Sequence, residues 1–333
     1  MTVANKNRYK TYLDAFRHPS MDGFERAARD FFADDAEINI VHPFNAVDGG
    51  AGFIDRFLTP LMTSFDGLYR RDYILFGGSY EGGEWVTSTG YYVGHFARNW
   101  LGIKATNKLA WLRVGEFHRM ENGKAVESYI FLDIPELMIA CGQWPDAIKS
   151  PAETPGYTGM LPGPASYDGI QLGENDSERS ASSVAMVTSM LQGLATPDEK
   201  WRPYWHENMM WYGPAAFGSF VGVENFHKFQ VPFEGKFHSW IGGSVPGSQT
   251  HHFTRHADGD YICSGGWPSL NCHQAKEFLG QPSKDEMLFM RVCDWWRREG
   301  DLLVENWVFV DIPHVLLQMG YDLFAEIGYR TGD

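Results

Sequence analysis

Two carboxylates close two similar strands of this chain. Asp133 follows Val126-Glu127-Ser128-Tyr129-Ile130-Phe131-Leu132, Asp311 follows Val304-Glu305-Asn306-Trp307-Val308-Phe309-Val310, and Ile-Pro comes next in both. A carboxylate among aromatic and aliphatic side chains loses hydration, so its pKa rises toward the working range and it can act as a general base. The chemistry that suits such a group is removal of a proton beside a carbonyl, followed by ring closure, isomerisation or elimination. A second duty is open to the same residues. Asp just before Ile-Pro suits the cap of a helix whose first turn holds the proline, and the sequence leaves both duties open at Asp133 and at Asp311.

The polar residues that could assist are Tyr92, His95 and His42, each able to orient a substrate oxygen or to stabilise an enolate. Period-two alternation puts Glu127, Tyr129, Phe131 and Asp133 on one face of their strand, and Glu305, Trp307, Phe309 and Asp311 on one face of theirs. Asn122-Gly123 is the preferred pair for a two-residue type I′ hairpin. Its register predicts His118 opposite Glu127 and Glu116 near Tyr129, with Trp296 and Asp294 in those places in the second copy. The acidic residue is kept there and the histidine is not. His251, His252, His256 and His273 are further pocket or rim candidates, but adjacent histidines on a strand point to opposite faces, so no metal site is expected. Trp205, Trp211, Trp240, Trp267, Trp295, Trp296 and Trp307 crowd the second copy, either as core or as the wall of an aromatic pocket.

The elements that must position these groups come in two sets. Residues 113–142 align without a gap on 291–320, with 11 identities in 30 positions, so the 333-residue chain reads as two copies of one domain. In each copy helical spacing comes first and strand alternation follows, an α+β layout with helices on one face of a curved, mainly antiparallel sheet. In the first copy Tyr9, Tyr12, Leu13 and Phe16 recur at helical spacing, as do Phe24, Ala27, Ala28, Phe31 and Phe32; in the second, Val184–Leu194 and Trp201–Trp205 are expected to be helical. The expected division is domain 1 over 1–149, a Pro/Gly-rich linker over 150–183 with Pro151, Pro155 and Gly156 near its start, and domain 2 over 184–333. A net charge of −14 disfavours nucleic acid and anionic membranes as partners, because no basic stripe is present to neutralise phosphates. Four cysteines without a CxxC pair, no apolar leader and no long apolar run fit a reduced, cytoplasmic protein.

One ordered set of motifs resembles a known family. Gly90-Tyr91-Tyr92-Val93-Gly94-His95-Phe96, Gly102-Ile103-Lys104-Ala105-Thr106-Asn107-Lys108, Glu116-Phe117-His118-Arg119, Asn122-Gly123-Lys124 and Val126 to Asp133 resemble the SnoaL-like polyketide cyclases of the NTF2-like superfamily, whose pattern reads roughly G-x-H-x-G-x-F, G-x-P-A-T-G-K, D-x-F-R, D-G-K-I-V-E-x-W-x-x-x-D. The resemblance implies two cone-shaped α+β barrels, each with a deep pocket, and a terminal Asp acting as acid/base in an intramolecular aldol closure without metal or organic cofactor. Carried over by position, that role falls on Asp133 and, in the second copy, on Asp311. Tyr92 and Trp267 stand where the family has a pocket histidine. Ala-Thr-Gly-Lys is Ala105-Thr106-Asn107-Lys108 in the first copy and Ser283-Lys284-Asp285-Glu286 in the second, so the first copy stays closer to the pattern. Relatives on the same fold include isomerases, dehydratases, epoxide hydrolases and non-catalytic binding modules. The expected partner is a small hydrophobic or aromatic substrate. By analogy with single-domain relatives, the two copies are expected to pair within the chain, with a further homodimer left open. An enzyme should enclose the Asp carboxyl in a pocket with another polar group in reach; a binding module should turn the Asp toward a helix N-terminus.

Overall fold

The apolar spacing that opens the first copy forms helices. α1 (Thr2–Asp14) and the 3-10 turn Ala15–Arg17 bury Tyr9, Tyr12, Leu13 and Phe16, and α2 (Met21–Phe31) buries Phe24, Ala28 and Phe31. Ser20 starts α2, its hydroxyl accepting the Gly23 N–H at 3.2 Å, which satisfies one of the donors a helix start leaves open. The computed structural model describes residues 2–18, 20–150, 159–194, 198–242 and 250–329, without the side chains of 231, 232 and 238–242. Pro151, Pro155, Gly156 and the Trp240 side chain lie outside the described residues. The chain divides into two units: Met1–Trp144 with Pro162–Asn175 and Asp322–Asp333, and Pro145–Leu161 with Asp176–Tyr321. No helix among the described residues is long and apolar enough to cross a membrane.

In the first unit the helices lead into β1 (Phe32–Ile40) and β2 (Asn45–Asp48). A helical stretch follows, α3 (Gly49–Phe53), the π turn Ile54–Leu58 and α4 (Thr59–Ser64). Then come β3 (Phe65–Tyr80), β4 (Gly83–Phe96), β5 (Leu109–Glu121), β6 (Lys124–Leu132) and α5 (Ile134–Ala140). The strand order is β2-β1-β6-β5-β4-β3, and β1–β6 is its parallel pair. The outer edge of β3 is covered: Leu75 donates its N–H to the Gly169 carbonyl at 2.8 Å and accepts from Gln171 N–H at 2.7 Å. Edges left bare invite pairing with other chains, and this Pro/Gly-rich segment blunts one.

The second unit repeats the plan with α6 (Ser177–Leu194), the 3-10 turn Arg202–Tyr204, β7 (Trp205–Tyr212), β8 (Ser219–Val221), α7 (Val223–Glu234), β9 (Phe237–Gly242), β10 (His252–Asp258), β11 (Tyr261–Gln274), β12 (Met287–Glu299), β13 (Leu302–Val310) and α8 (Ile312–Gln318). The order β8-β7-β13-β12-β11-β10, with β9 also on β11, matches the first sheet strand for strand, β9 and β10 together standing where β3 stands. A last short helix, α9 (Leu323–Glu326), belongs with the first unit. Each unit is therefore α+β, a mainly antiparallel sheet preceded by helices, as expected. The stretch Trp201–Trp205 differs from expectation. It closes a single 3-10 turn and Trp205 already begins β7, since five residues around Pro203 are too few to propagate a helix.

The hairpin register also differs by one residue, with consequences for the site. Asn122 and Gly123 do take positive φ, 51° and 76°, and Glu121 and Met120 pair with Lys124 and Ala125. Arg119 then pairs with Glu127, leaving Val126 as the extra residue of a β-bulge. Val304 is the extra residue in the second copy, where Arg298 pairs with Leu303 and Arg297 with Glu305. A one-residue slip exchanges the faces of everything beyond it. His118 therefore stands opposite Ser128, and Glu116 opposite Ile130. Glu116 and Asp294 turn away from the face of Asp133 and Asp311, toward the side covered by the leading helices.

Candidate functional site

One rung of each sheet organises its interior. In the second unit Arg255, Ser264, Asp294 and Val308 are successive partners across β10, β11, β12 and β13. In the first unit the same rung is Leu75, Ser88, Glu116 and Ile130. Serine and the carboxylate are kept, and what surrounds them is not.

In the first unit the surroundings of Glu116 are filled. Arg70 reaches in from β3 and pairs with Glu116 at 2.6 Å, with Asp72 at 2.9 Å, and donates to Tyr92 Oη at 3.0 Å and Ser88 Oγ at 3.1 Å. The second Glu116 oxygen accepts from Tyr9 Oη at 2.8 Å and lies 3.3 Å from His118 Nε2, while His118 Nδ1 meets Ser128 Oγ at 2.8 Å. Burial pushes the Glu116 pKa up, but Arg70 and His118 outweigh it and hold the carboxyl down at about 2. Burial also lowers the His118 pKa, so the neutral ring donates from Nε2 and accepts the Ser128 hydroxyl proton at Nδ1. Tyr9, Phe31 and Phe32 pack around that ring at 4.8, 5.0 and 5.7 Å. A carboxylate so locked as an anion is a weak base, and Glu116 is fully buried.

The second unit keeps the space open. A cavity lies between α6, α7 and the sheet, about 1050 Å³ of empty volume when its open mouth is counted. Trp205, Trp211, Phe226 and Phe229 form an aromatic wall, Met190 and Leu194 come from α6, and Asp294, Trp296 and Asn306 come from the sheet. Trp296 and Asn306 take the places of His118 and Ser128. Asp294 lies deep in the unit, yet keeps some accessible surface because that surface faces the cavity. Burial raises its pKa to about 7, with the Asn306 amide and the Arg255 charge pulling the other way. Asn306 Nδ2 donates to its carboxyl at 3.3 Å. Near neutral pH this group can both take and return a proton.

Beside it runs a directed chain of hydrogen bonds. Burial first and Arg255 second lower the His252 pKa to about 4, so its ring is neutral. His252 Nε2 lies 3.4 Å from both the carbonyl and the hydroxyl oxygen of Ser269; the carbonyl can only accept, which favours the hydrogen on Nε2 and leaves Nδ1 to accept from Ser264 Oγ at 3.2 Å. Ser264 Oγ in turn accepts from Arg255 Nε at 3.3 Å, and Arg255 Nη1 donates to Thr188 Oγ1 of α6 at 3.2 Å. Two bulges put these groups on one side. A register shift between His252 and Thr254 lets His252 and Arg255, three apart, both line the cavity. A second shift between Gly266 and Leu270 brings in Ser269 and Leu270. Gly266 is required there, since a Cβ on it would lie 2.5 Å from Ser269 Cα.

The structure disperses the residues singled out from sequence. Asp133 caps α5, accepting the Glu136 N–H at 3.2 Å. Asp311, fully buried, caps α8 through the His314 N–H at 3.2 Å and pairs with Arg291 at 2.9 Å. Tyr92 lies inside the filled interior on Arg70, His95 is exposed at the end of β4, and His42 sits in the β1–β2 connection, 3.5 Å from Asn45 and beside the Phe324 ring. Register gives Tyr92 the counterpart Leu270, not Trp267, which lies under Arg291. Of the other histidines, His252 lines the cavity, His256 is buried on Thr254 and Cys263, His273 pairs with Asp285, and His251 is exposed. Among the tryptophans Trp205, Trp211 and Trp296 line the cavity, whereas Trp295 and Trp307 are core. Arg255, Ser264 and Asn306 were missed. Their signal was a kept carboxylate, Asp294, whose neighbour had changed from histidine to tryptophan.

No protein-family model and no curated protein matches the chain. Solved structures similar to it include a protein from Jannaschia sp. CCS1 provisionally named a SnoaL-like polyketide cyclase (18% identity, 43% of this chain and 94% of that one, TM-score 0.36). Others are AclR of Streptomyces galilaeus, provisionally named a hydroxylase (14%, 42% and 96%, TM-score 0.35), and IdmH of Streptomyces antibioticus, provisionally named a polyketide cyclase (14%, 41% and 96%, TM-score 0.34). Each spans a domain-sized share of this chain. The fold assignment stands on the strand order and the leading helices of each unit.

Proposed function

We propose that the second unit is a cofactor-independent enzyme of cyclase, isomerase or lyase type, acting on a small, mostly apolar carbonyl compound, and that Asp294 takes the proton-transfer role expected of Asp133. The observation that carries the reading is a carboxyl raised to about 7 inside an aromatic cavity, with the Asn306 amide in hydrogen-bond reach. Asp294 as carboxylate removes the proton from the carbon beside the carbonyl, and the C–H electron pair moves to the carbonyl oxygen. Ser269 and Gln230, both in the cavity wall, are the donors assigned to that oxygen. The enolate then takes the proton back from Asp294 at another carbon, expels a leaving group, or closes onto a second carbonyl whose alkoxide Asp294 protonates.

The test is proton–deuterium exchange. The protein is incubated with 2-tetralone in D₂O and loss of the α-hydrogen signals is followed by NMR. Wild type should accelerate exchange, and Asp294→Asn should lose about a hundredfold or more of that acceleration. Undiminished exchange in Asp294→Asn would sink the assignment. The first unit favours a non-catalytic duty, since Asp133 faces a helix start and Glu116 is locked in its ion pair.

A further inference from the structure

The Ser264–His252 pair has no part in the Asp294 chemistry, and we propose that it gives the same cavity a second activity: hydrolysis of aryl esters through an acyl group carried on Ser264. Both residues line the cavity. Ser264 Oγ lies 3.2 Å from His252 Nδ1, and the far side of the ring is held by the Ser269 carbonyl, 3.4 Å from Nε2. A hydroxyl on a base that a third group orients is the arrangement of an activated nucleophile. Arg255 Nε donates to Ser264 Oγ at 3.3 Å, so the hydroxyl hydrogen is turned toward the imidazole.

The register makes this pairing particular to the second unit. Ser88 matches Ser264, and Asp72, opposite Gly90, matches His252, opposite Gly266. Each unit thus directs the serine hydrogen to a residue just ahead of a bulge. In the first unit Ser88 Oγ donates to Asp72 at 2.9 Å, and Asp72 is tied to Arg70 at 2.9 Å, an anion held in an ion pair. In the second the acceptor is a neutral imidazole, which can take the proton and return it. The Ser264 hydroxyl proton passes to His252 Nδ1 as Oγ bonds to the ester carbonyl carbon. The carbonyl π pair moves to its oxygen, for which Ser269 and Gln230 of the cavity wall are the donors. Collapse breaks the bond to the aryl oxygen, which leaves with the electron pair and takes the proton from Nδ1. Water then attacks the acyl carbon, its proton returning through Nδ1 to Ser264 Oγ. An imidazole whose pKa burial has lowered is a weak base. It suits a phenolate, a leaving group that needs little protonation, rather than an amine. Trp205, Trp211, Phe226 and Phe229 receive the aryl ring.

The experiment uses the full chain with 4-nitrophenyl acetate at neutral pH. Release of 4-nitrophenolate is followed by absorbance, and after an acid quench the acetyl group is located by peptide mass spectrometry. A serine alkoxide leaves less readily than a phenolate, so the acyl group accumulates before water removes it. Wild type should release product and carry the acetyl group on Ser264. Ser264→Ala and His252→Gln should each slow release by about a hundredfold or more, with tryptophan fluorescence reporting the fold. Should Ser264→Ala fail to fold, Ser264→Cys keeps a nucleophile beside His252 and should carry the acetyl group as a thioester. Acetyl groups found only away from position 264, or undiminished release in a folded Ser264→Ala or His252→Gln, overturn the proposal. The readout is the acyl group and not α-hydrogen exchange, so either result leaves the test of Asp294 a separate question.

Discussion

Glu116 and Asp294 occupy the same rung of two repeated sheets, and their surroundings hold one near pKa 2 and the other near 7. Both are desolvated. The difference is what desolvation is set against: Glu116 has Arg70 at 2.6 Å and His118 beside it, whereas Asp294 has a neutral amide and a more distant arginine. One environment makes a permanent anion that ties a core together. The other makes a group that titrates at working pH and faces an empty space.

The first consequence is kinetic. If Asp294 as carboxylate removes the proton, the exchange rate per substrate should rise with pH through about 7 and level off above it. Asn at this position cannot take up the proton and should give a flat, low profile. A wild-type profile that levels off near pH 4, the range of an ordinary carboxyl, would mean that another group is the base.

The same shift has a stability consequence of opposite sense. Between the unfolded carboxyl value of about 4 and the folded value of about 7, the folded protein holds a proton that the unfolded chain has released. Stability therefore falls as pH rises across that window and is level above it. At about 1.4 kcal/mol per tenfold, the full loss is up to about 4 kcal/mol. Asp294→Asn should remove this slope and make the variant more stable than wild type at pH 8, about a unit above the folded value. Hydrogen exchange of the β12 and β13 amides across the window measures it. A slope that persists in the variant would assign it elsewhere.

In the first unit the sign is reversed. The Glu116 pKa is lowered to about 2, so its contribution is complete above the unfolded value of about 4.3 and fades as pH falls toward 2. Glu116→Gln should cost about 3–5 kcal/mol, because it leaves Arg70 buried with a single carboxylate, Asp72, at 2.9 Å. Exchange catalysed by the second unit should survive that substitution in protein that remains folded. Denaturant unfolding together with the 2-tetralone assay separates the two effects, and a near-neutral cost would show that the ion pair barely exceeds its own desolvation.

How much of this was open to sequence reading depends on the range of the interactions. The two-copy architecture rests on 11 identities in 30 positions, and the Asn122-Gly123 turn on a local backbone preference; both were legible. The register of the preceding strand against the repeated one was not. Val126 and Val304 are ordinary strand residues, and nothing in their type marks the bulge that reverses every side chain beyond them. The empty cavity was hidden for a different reason. Whether an interior is solid depends on distant side chains such as Arg70 and Tyr9 converging on Glu116, a non-local fact. Once the register is known, Leu75 against Arg255 and His118 against Trp296 can be read side by side, and the asymmetry follows.

The capping aspartates offer the sharpest separation of structural from chemical duty. Asp133 accepts the Glu136 N–H and Asp311 the His314 N–H. Asn caps helices about as well as Asp, whereas Ala forfeits the bond, at about 0.5–2 kcal/mol. Asp133→Asn should thus keep the cap while removing a charge that acts on the buried Arg113, and Asp133→Ala should cost about 1 kcal/mol more than Asp133→Asn, with α-hydrogen exchange intact in both. Asp311→Asn keeps the cap but gives up the 2.9 Å pair with Arg291, whose guanidinium lies 4.1 Å from the Trp267 ring centre. It should cost about 1–3 kcal/mol for a largely buried pair. Thermal unfolding of the three single variants, run beside the exchange assay, orders these costs. Loss of exchange in a stably folded Asp133→Asn would return the catalytic role to the residue at the end of the first repeated strand.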